Sequence, residues 1–256
     1  MRLLSYKQIG KGTPIVFIHG FCENKQIWDS YLINLLSDFQ VVSLDLGGFG
    51  DSAHLLPQPC SIESLAEQVC DLLQCIKITK AIFVGHSLGG YVALALAEKY
   101  PEMIQKLCLF HSTALADSEE KKEIRNKVID FVQKVGVERY IESFVSPLFC
   151  QKRLEELKQE ILFVEKIAKK TPLGTIVSVI KAMRDRKSRL NVIREATFPI
   201  LFIIGKEDGA VSFESYQEQI TANLLVETCI LEETGHMGMF ERPQETLEAI
   251  KKFCKN

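Results

Sequence analysis

Three side chains in this sequence have the types that acyl transfer requires: Ser87 to attack, His236 to take its proton, and Asp208 to orient the imidazole. A serine hydroxyl is a poor nucleophile at neutral pH. It needs a base, and the base needs a carboxylate that fixes its tautomer and stabilises the imidazolium. Ser87 lies in Gly85-His86-Ser87-Leu88-Gly89-Gly90. A Gly-x-Ser-x-Gly string arises by chance in roughly one chain in ten of this length, so its weight depends on what surrounds it.

The surroundings predict a sharp corner. Ala81-Ile82-Phe83-Val84 reads as a short buried strand, and from Leu88 the apolar spacing turns helical until Tyr100-Pro101 stops it. Ser87 then sits between strand and helix, where Gly85 and Gly89 leave room for a cramped backbone. The helix would aim free N–H groups and a positive dipole end at an oxyanion formed beside Ser87. A second run, Ile15-Val16-Phe17-Ile18, suits a parallel strand buried on both faces. It leads into His19-Gly20-Phe21, so the Phe21 and Leu88 N–H groups are the expected oxyanion hole. The plainer reading of His19-Gly20 is a tight strand exit.

Asp208 follows the run Phe198-Pro199-Ile200-Leu201-Phe202-Ile203-Ile204 through Gly205-Lys206-Glu207, and His236 follows the strand expected at residues 226–231. All three candidates therefore fall at the carboxyl ends of strands, the edge of an open α/β sheet where ligands bind. Glu207 is a rival for the acid and Asp117 a weaker one. Among the other histidines, His86 is expected to point away from the serine next to it. His54 and His111 fall in loops with no acid at a matching place.

Along the chain, residues 3–8 suit an edge strand, 28–39 a helix, 41–44 a strand, and Ser61 caps a helix whose apolar face includes Leu65, Val69 and Leu72. The glycine-rich segment 45–52 lacks both the Gly-Lys-Ser/Thr ending of a P-loop and the spacing of a dinucleotide site. It is read as a tight turn held by Asp45 and Ser52. With a further strand at 107–110, the alternation predicts a mostly parallel central sheet with helices on both faces. Residues 115–190 differ, showing helical spacing without a strand after the charged run Asp117 to Glu123, which reads as a solvated helix face. The expected organisation is a core of 1–114 and 191–256 with 115–190 inserted as a helical cap.

Lys and Arg total 31 against 33 Asp and Glu, a formal charge of -2 with no basic stripe. Nucleic acid and anionic lipid are therefore not the expected partners, and a small molecule is. No segment approaches the ~20 apolar residues of a membrane span, and the first residues lack a signal-peptide core, so a cytoplasmic location is expected. The eight cysteines are dispersed without zinc-ligand spacing. Neither a metal nor a cofactor is expected, and monomer and homodimer both fit.

The order Ser, Asp, His, with His19-Gly20, Gly85 to Gly90, Gly205 to Asp208 and Gly235-His236, resembles the α/β-hydrolase superfamily. The resemblance runs from about Leu3 to the end and weakens between 115 and 190. It is strongest toward small carboxylesterases, proline iminopeptidases, and the pimeloyl-carrier-protein esterase and menaquinone-pathway lyase groups. A serine at 87, where haloalkane dehalogenases and epoxide hydrolases have aspartate, speaks against those activities. Tyr91 stands where the lyase group would carry arginine. The resemblance implies hydrolysis of a small carboxylic ester through an acyl-enzyme, with thioesterase, aminopeptidase and lyase chemistry as alternatives. A ligand receptor built on the same fold is a reading from another class, separable by turnover. Because imidazole exchanges its proton near neutrality, an esterase should speed up as His236 loses its proton. His19, Tyr140, Phe144 and Met183, with Phe149 and Phe163, are candidates for an apolar substrate pocket, although helical apolar residues are more often cap core. Arg184 and Arg186 are candidates for a substrate carboxylate.

Overall fold

A computed structural model describes residues 3–255. Among these residues, seven strands form one sheet in the order β1-β3-β2-β4-β5-β6-β7. In chain order the elements are β1 (Tyr6–Gly10), β2 (Thr13–Ile18), α1 (Asp29–Leu35), β3 (Phe39–Leu44), α2 (Ile62–Cys75), β4 (Ala81–His86), α3 (Leu88–Lys99) and β5 (Ile104–Phe110). They continue through α4 (Glu119–Val135), α5 (Val137–Phe144), α6 (Lys158–Ala168), α7 (Leu173–Arg184) and α8 (Leu190–Arg194). The chain then returns to the sheet as β6 (Ile200–Gly205), followed by α9 (Gln217–Ile220), β7 (Val226–Leu231), α10 (Gly238–Glu241) and α11 (Pro243–Lys255).

Among the described strands only β1 is antiparallel, pairing with β3 at the sheet edge. The central strands are the continuous apolar runs of the sequence, and Ile15 to Ile18, Ala81 to Val84 and Ile200 to Ile204 are buried. That is the composition a parallel strand needs when helices cover both faces. Registers Ile18 with Gly85, His86 with Phe110, and Phe110 with Ile203 bring the strand ends level. Residues just beyond those ends consequently emerge side by side.

The helix expected over 28–39 is shorter. Asn24 accepts from Gln26 N at 2.9 Å and starts a 3-10 turn, Lys25–Trp28, before α1. At the far end residues 36–38 form a turn and Phe39 pairs with Thr13, so β3 takes the last residue that spacing alone assigned to helix. Ser61 caps α2 as expected, in a reciprocal pair with Ser64. Asp45 holds the glycine-rich turn by accepting from Lys25 N and Asp51 N, both at 2.8 Å. Ser52 Oγ ties that turn to Ser5 N, also at 2.8 Å. Among the described residues, no helix is long and apolar enough to cross a membrane.

Where α3 starts, Gly89 lies against β2: a Cβ there would collide with the Ile18 carbonyl oxygen and lie 2.8 Å from that of His19. Both contacts are backbone, which cannot swing away. Gly89→Ala should therefore destabilise the protein by about 1–3 kcal/mol, seen as a lower urea midpoint at unchanged m-value. A midpoint equal to the parent's would mean that α3 can move off β2 freely.

Candidate active site

Ser87 caps α3 with φ 48 and ψ -112, a left-handed conformation that costs a non-glycine residue about 1–3 kcal/mol. The sheet holds it there. Ser87 N–H donates to the Phe110 carbonyl at 3.0 Å, and the Ser112 hydroxyl donates to the Ser87 carbonyl at 2.7 Å. Among the described residues, the N–H groups of Phe21 and Leu88 make no hydrogen bond to the protein. Leu88 is the first residue of α3, where N–H groups lack helical acceptors.

Asp208 and His236 are buried, and His236 Nδ1 donates to Asp208 Oδ2 at 2.8 Å. The other carboxylate oxygen, Oδ1, accepts from Ala210 N at 2.8 Å and Val211 N at 3.0 Å, which fixes the plane of the group. Burial alone would raise the Asp208 carboxyl, but the charge and hydrogen bond of His236, with the His111 ring beside it, outweigh burial and hold it well below the ordinary carboxylate range. The loop carrying His236 is braced from behind by Glu241, whose carboxylate accepts from Gly235 N, Met237 N and Cys150 N. His236 N itself donates to the Leu148 carbonyl at 2.6 Å.

Ser87 and His236 line one cleft of about 80 Å³, together with Phe21, Glu23, His86, Tyr91, Arg125, Phe144 and Met183. Among the described residues, the Ser87 hydroxyl makes no hydrogen bond to His236. A second, apolar cavity of about 310 Å³ lies between α4 and α5, walled by residues such as Ile124, Val128, Phe131 and Tyr140. It shares Phe21, Arg125 and Phe144 with the cleft. Thus Phe144 and Met183 reach the catalytic-type cleft, while Tyr140 reaches only the adjoining cavity. Phe149 is core, and Phe163 packs on Phe240 with ring centroids 5.9 Å apart.

Several sequence expectations change here. His19 does not reach the cleft. Its ring is fully buried, with Nδ1 donating to the Gly20 carbonyl at 2.7 Å and Nε2 accepting from Leu46 N at 3.0 Å, so it fastens two loops. Burial lowers its tendency to take a second proton. His86, expected to point away from Ser87, contributes to the cleft wall, and its buried ring, 4.9 Å from that of His236, bonds to Glu23 and the His236 carbonyl. His111 does have an acid nearby, its Nδ1 lying 3.3 Å from Asp208 Oδ2. Burial pushes His111 down to about 4, so it faces Asp208 as a neutral ring. The rival acids are occupied elsewhere: Asp117 binds Arg125 and Arg186, and exposed Glu207 meets Lys152. Arg186 is buried over the Tyr91 ring, and Arg184 pairs with Asp185. Glu23, a buried acid at the cleft, was invisible in the sequence, where no spacing distinguishes it.

His111, Asp208 and His236 bring three ligand atoms within 4.8 Å of one another, a set able to hold a divalent transition metal. An ion there would take the same atoms that join His236 to Asp208, and so would displace the orienting hydrogen bond.

The family model for the alpha/beta hydrolase fold matches residues 13–243. This chain belongs to the alpha/beta-hydrolase family. Within it the chain is an enzyme of the hydrolase class, similar to esterases. It is 25% identical over 262 residues to a pimeloyl-[acyl-carrier protein] methyl ester esterase of Vibrio vulnificus, covering 98% of both chains. A thermophilic esterase from Thermogutta terrifontis superposes with a TM-score of 0.92 at 25% identity, covering 98% of this chain and 93% of that one. An enol-lactonase from Burkholderia xenovorans LB400 shares the fold at 21% identity, with a TM-score of 0.91 over 99% of this chain and 96% of its own.

Proposed function

We propose that this hydrolase cleaves small carboxylic esters through an acyl-enzyme, with Ser87 as nucleophile, His236 as general base then acid, and Asp208 as the orienting anion. The observation that carries the reading is the strained corner at Ser87 opening on the same cleft as an imidazole fixed to a buried carboxylate. In this reading the serine side chain turns about its Cα–Cβ bond so that Oγ meets Nε2, the nitrogen left free by the Asp208 bond. Attack on the ester carbonyl then passes the serine proton to His236, and the oxyanion is received by the Phe21 and Leu88 N–H groups. His236 returns the proton to the leaving alcohol and next activates water to release the acid. The esterase relatives support the same bond type.

Residues 115–190 serve in this reading as a lid, and the apolar cavity between α4 and α5 as the acyl chamber. Each methylene seated there contributes ~0.8 kcal/mol, about fourfold in kcat/KM. For p-nitrophenyl esters, kcat/KM should therefore climb from acetate through butyrate to hexanoate and stop rising once the chamber is full. A flat series would put the acyl chain outside it. Thioester and aminoacyl-amide substrates of matched acyl length separate esterase from thioesterase and aminopeptidase action, and a protein that binds esters without turnover is a receptor instead.

A further inference from the structure

Glu23 and His86 form a buried pair at the floor of the cleft that the acyl-transfer steps leave unused. One carboxylate oxygen, Glu23 Oε2, accepts from Gly20 N at 2.6 Å and lies 3.0 Å from His86 Nδ1. The other ring nitrogen, Nε2, is 2.9 Å from the main-chain carbonyl of His236. A carbonyl only accepts, so Nε2 carries a proton. A second proton must then lie between Nδ1 and Oε2. The contacts run unbroken from the oxyanion turn at Gly20, through the residue preceding the nucleophile, to the main chain of the base.

We propose that Glu23 and His86 are positioning residues whose buried ion pair sets the spacing between the Phe21 N–H, Ser87 and His236. The inference rests on the acyl-transfer reading above and deepens it.

Both partners favour the charged form. Burial pushes His86 down, but the Glu23 charge, the hydrogen bond to it and the His236 carbonyl outweigh burial and leave His86 raised. Burial pushes Glu23 up, and the His86 charge and hydrogen bond, with His19 and Gly20, bring it below the ordinary range. The groups that face the pair are His19 from the strand exit of β2, His111 with its ring 6.2 Å from His86, His236, and Asp208, whose charge also favours the His86 cation. Burial keeps His19 and His111 lowered, so neither competes with His86 for the proton near neutrality.

A carboxylate is needed because two N–H donors meet at one oxygen. An amide oxygen at that place can accept both only if His86 stays doubly protonated beside a neutral group, which burial opposes. With one proton, His86 loses either the Glu23 end or the His236 end of the chain. Glu23→Gln should therefore lower kcat at neutral pH by about ten- to a hundredfold, the range set by sub-ångström to ångström misplacement of reacting groups, with KM within about twofold of the parent's.

The pH profile separates positioning from mere folding. As pH rises through the raised titration of His86, the parent loses the shared proton, so its kcat should fall on the alkaline side. Without the carboxylate that raised His86, the fall should come at lower pH in Glu23→Gln. Glu23→Asp keeps the charge on a shorter arm, so its kcat should drop while the alkaline limb stays near the parent's. The measurement is kcat and KM across pH for p-nitrophenyl butyrate, with circular dichroism melts of each variant. Parent-like kcat and an unmoved limb in folded Glu23→Gln overturn the proposal. If that variant does not fold, Glu23→Asp decides, and a parent-like kcat there overturns it. A parent that turns over no ester, or a Ser87→Ala variant that turns it over at the parent's rate, defeats the acyl-transfer reading instead.

Discussion

Ser87→Ala should lower kcat for p-nitrophenyl butyrate by at least ~10³-fold, abolish fluorophosphonate labelling, and leave the melting curve close to the parent's. The separation of the two effects follows from what holds residue 87 in place. Its left-handed backbone is fixed through main-chain bonds, Ser87 N to Phe110 O at 3.0 Å and Ser112 Oγ to Ser87 O at 2.7 Å, and both survive in alanine. Among the described residues the Ser87 hydroxyl makes no bond that the fold depends on. Alanine keeps the Cβ and drops only the attacking atom. Residual turnover would then come from the unaltered cleft and the two main-chain donors acting on water. Ester hydrolysis at the parent's rate, or serine-directed labelling that persists at another residue, would remove Ser87 from the mechanism.

The sheet and the Ser87 corner were legible because each is written locally. Continuous apolar runs such as Ile15 to Ile18 specify strands buried on both faces, and a break from period two to helical spacing at Leu88 specifies the corner. The pairing of His236 with Asp208 was legible for a different reason: both follow strands whose carboxyl ends the parallel register brings level. What was not legible is who shares those ends. His111 follows β5 just as Asp208 follows β6, but the left-handed backbone at His111 that the structure shows has no sequence signature in a histidine. Glu23 and His86 lie 63 positions apart, and nothing in either neighbourhood marks a buried acid. His19 was misread because a strand-exit histidine beside the Gly20-Phe21 turn can face the cleft or the loop behind it, and the Leu46 N–H behind it takes the ring nitrogen. The helix boundary at Leu35 failed because Phe39 is equally apolar in either element, and pairing with Thr13 decides the matter.

Asp208→Asn should lower kcat by about 10⁴-fold, the loss expected when an orienting carboxylate becomes an amide and leaves the imidazole in the wrong tautomer. The main-chain donors Ala210 N and Val211 N lie on Oδ1, so the amide oxygen of asparagine is drawn to that side. The amide nitrogen then replaces Oδ2 and points N–H at His236 Nδ1 and His111 Nδ1, the two atoms that Oδ2 met at 2.8 and 3.3 Å. Nδ1 of His236 must become an acceptor, which puts its proton on Nε2, the nitrogen that should take the proton from Ser87. His111 is neutral and fully buried and can adjust only its tautomer, so it offers no compensating charge. The variant should also be less stable at neutral pH. Asp208 is held well below the ordinary carboxylate range in the folded protein, so its contribution is present above the unfolded pKa and is lost as pH falls through the folded one. Parent and variant stabilities, from urea unfolding at several pH values, should thus converge toward acid. If Asp208→Asn kept the parent's kcat, His236 would be oriented by some group other than this carboxylate. Parallel stability curves at all pH values would mean that Asp208 gains nothing from its two histidines on folding.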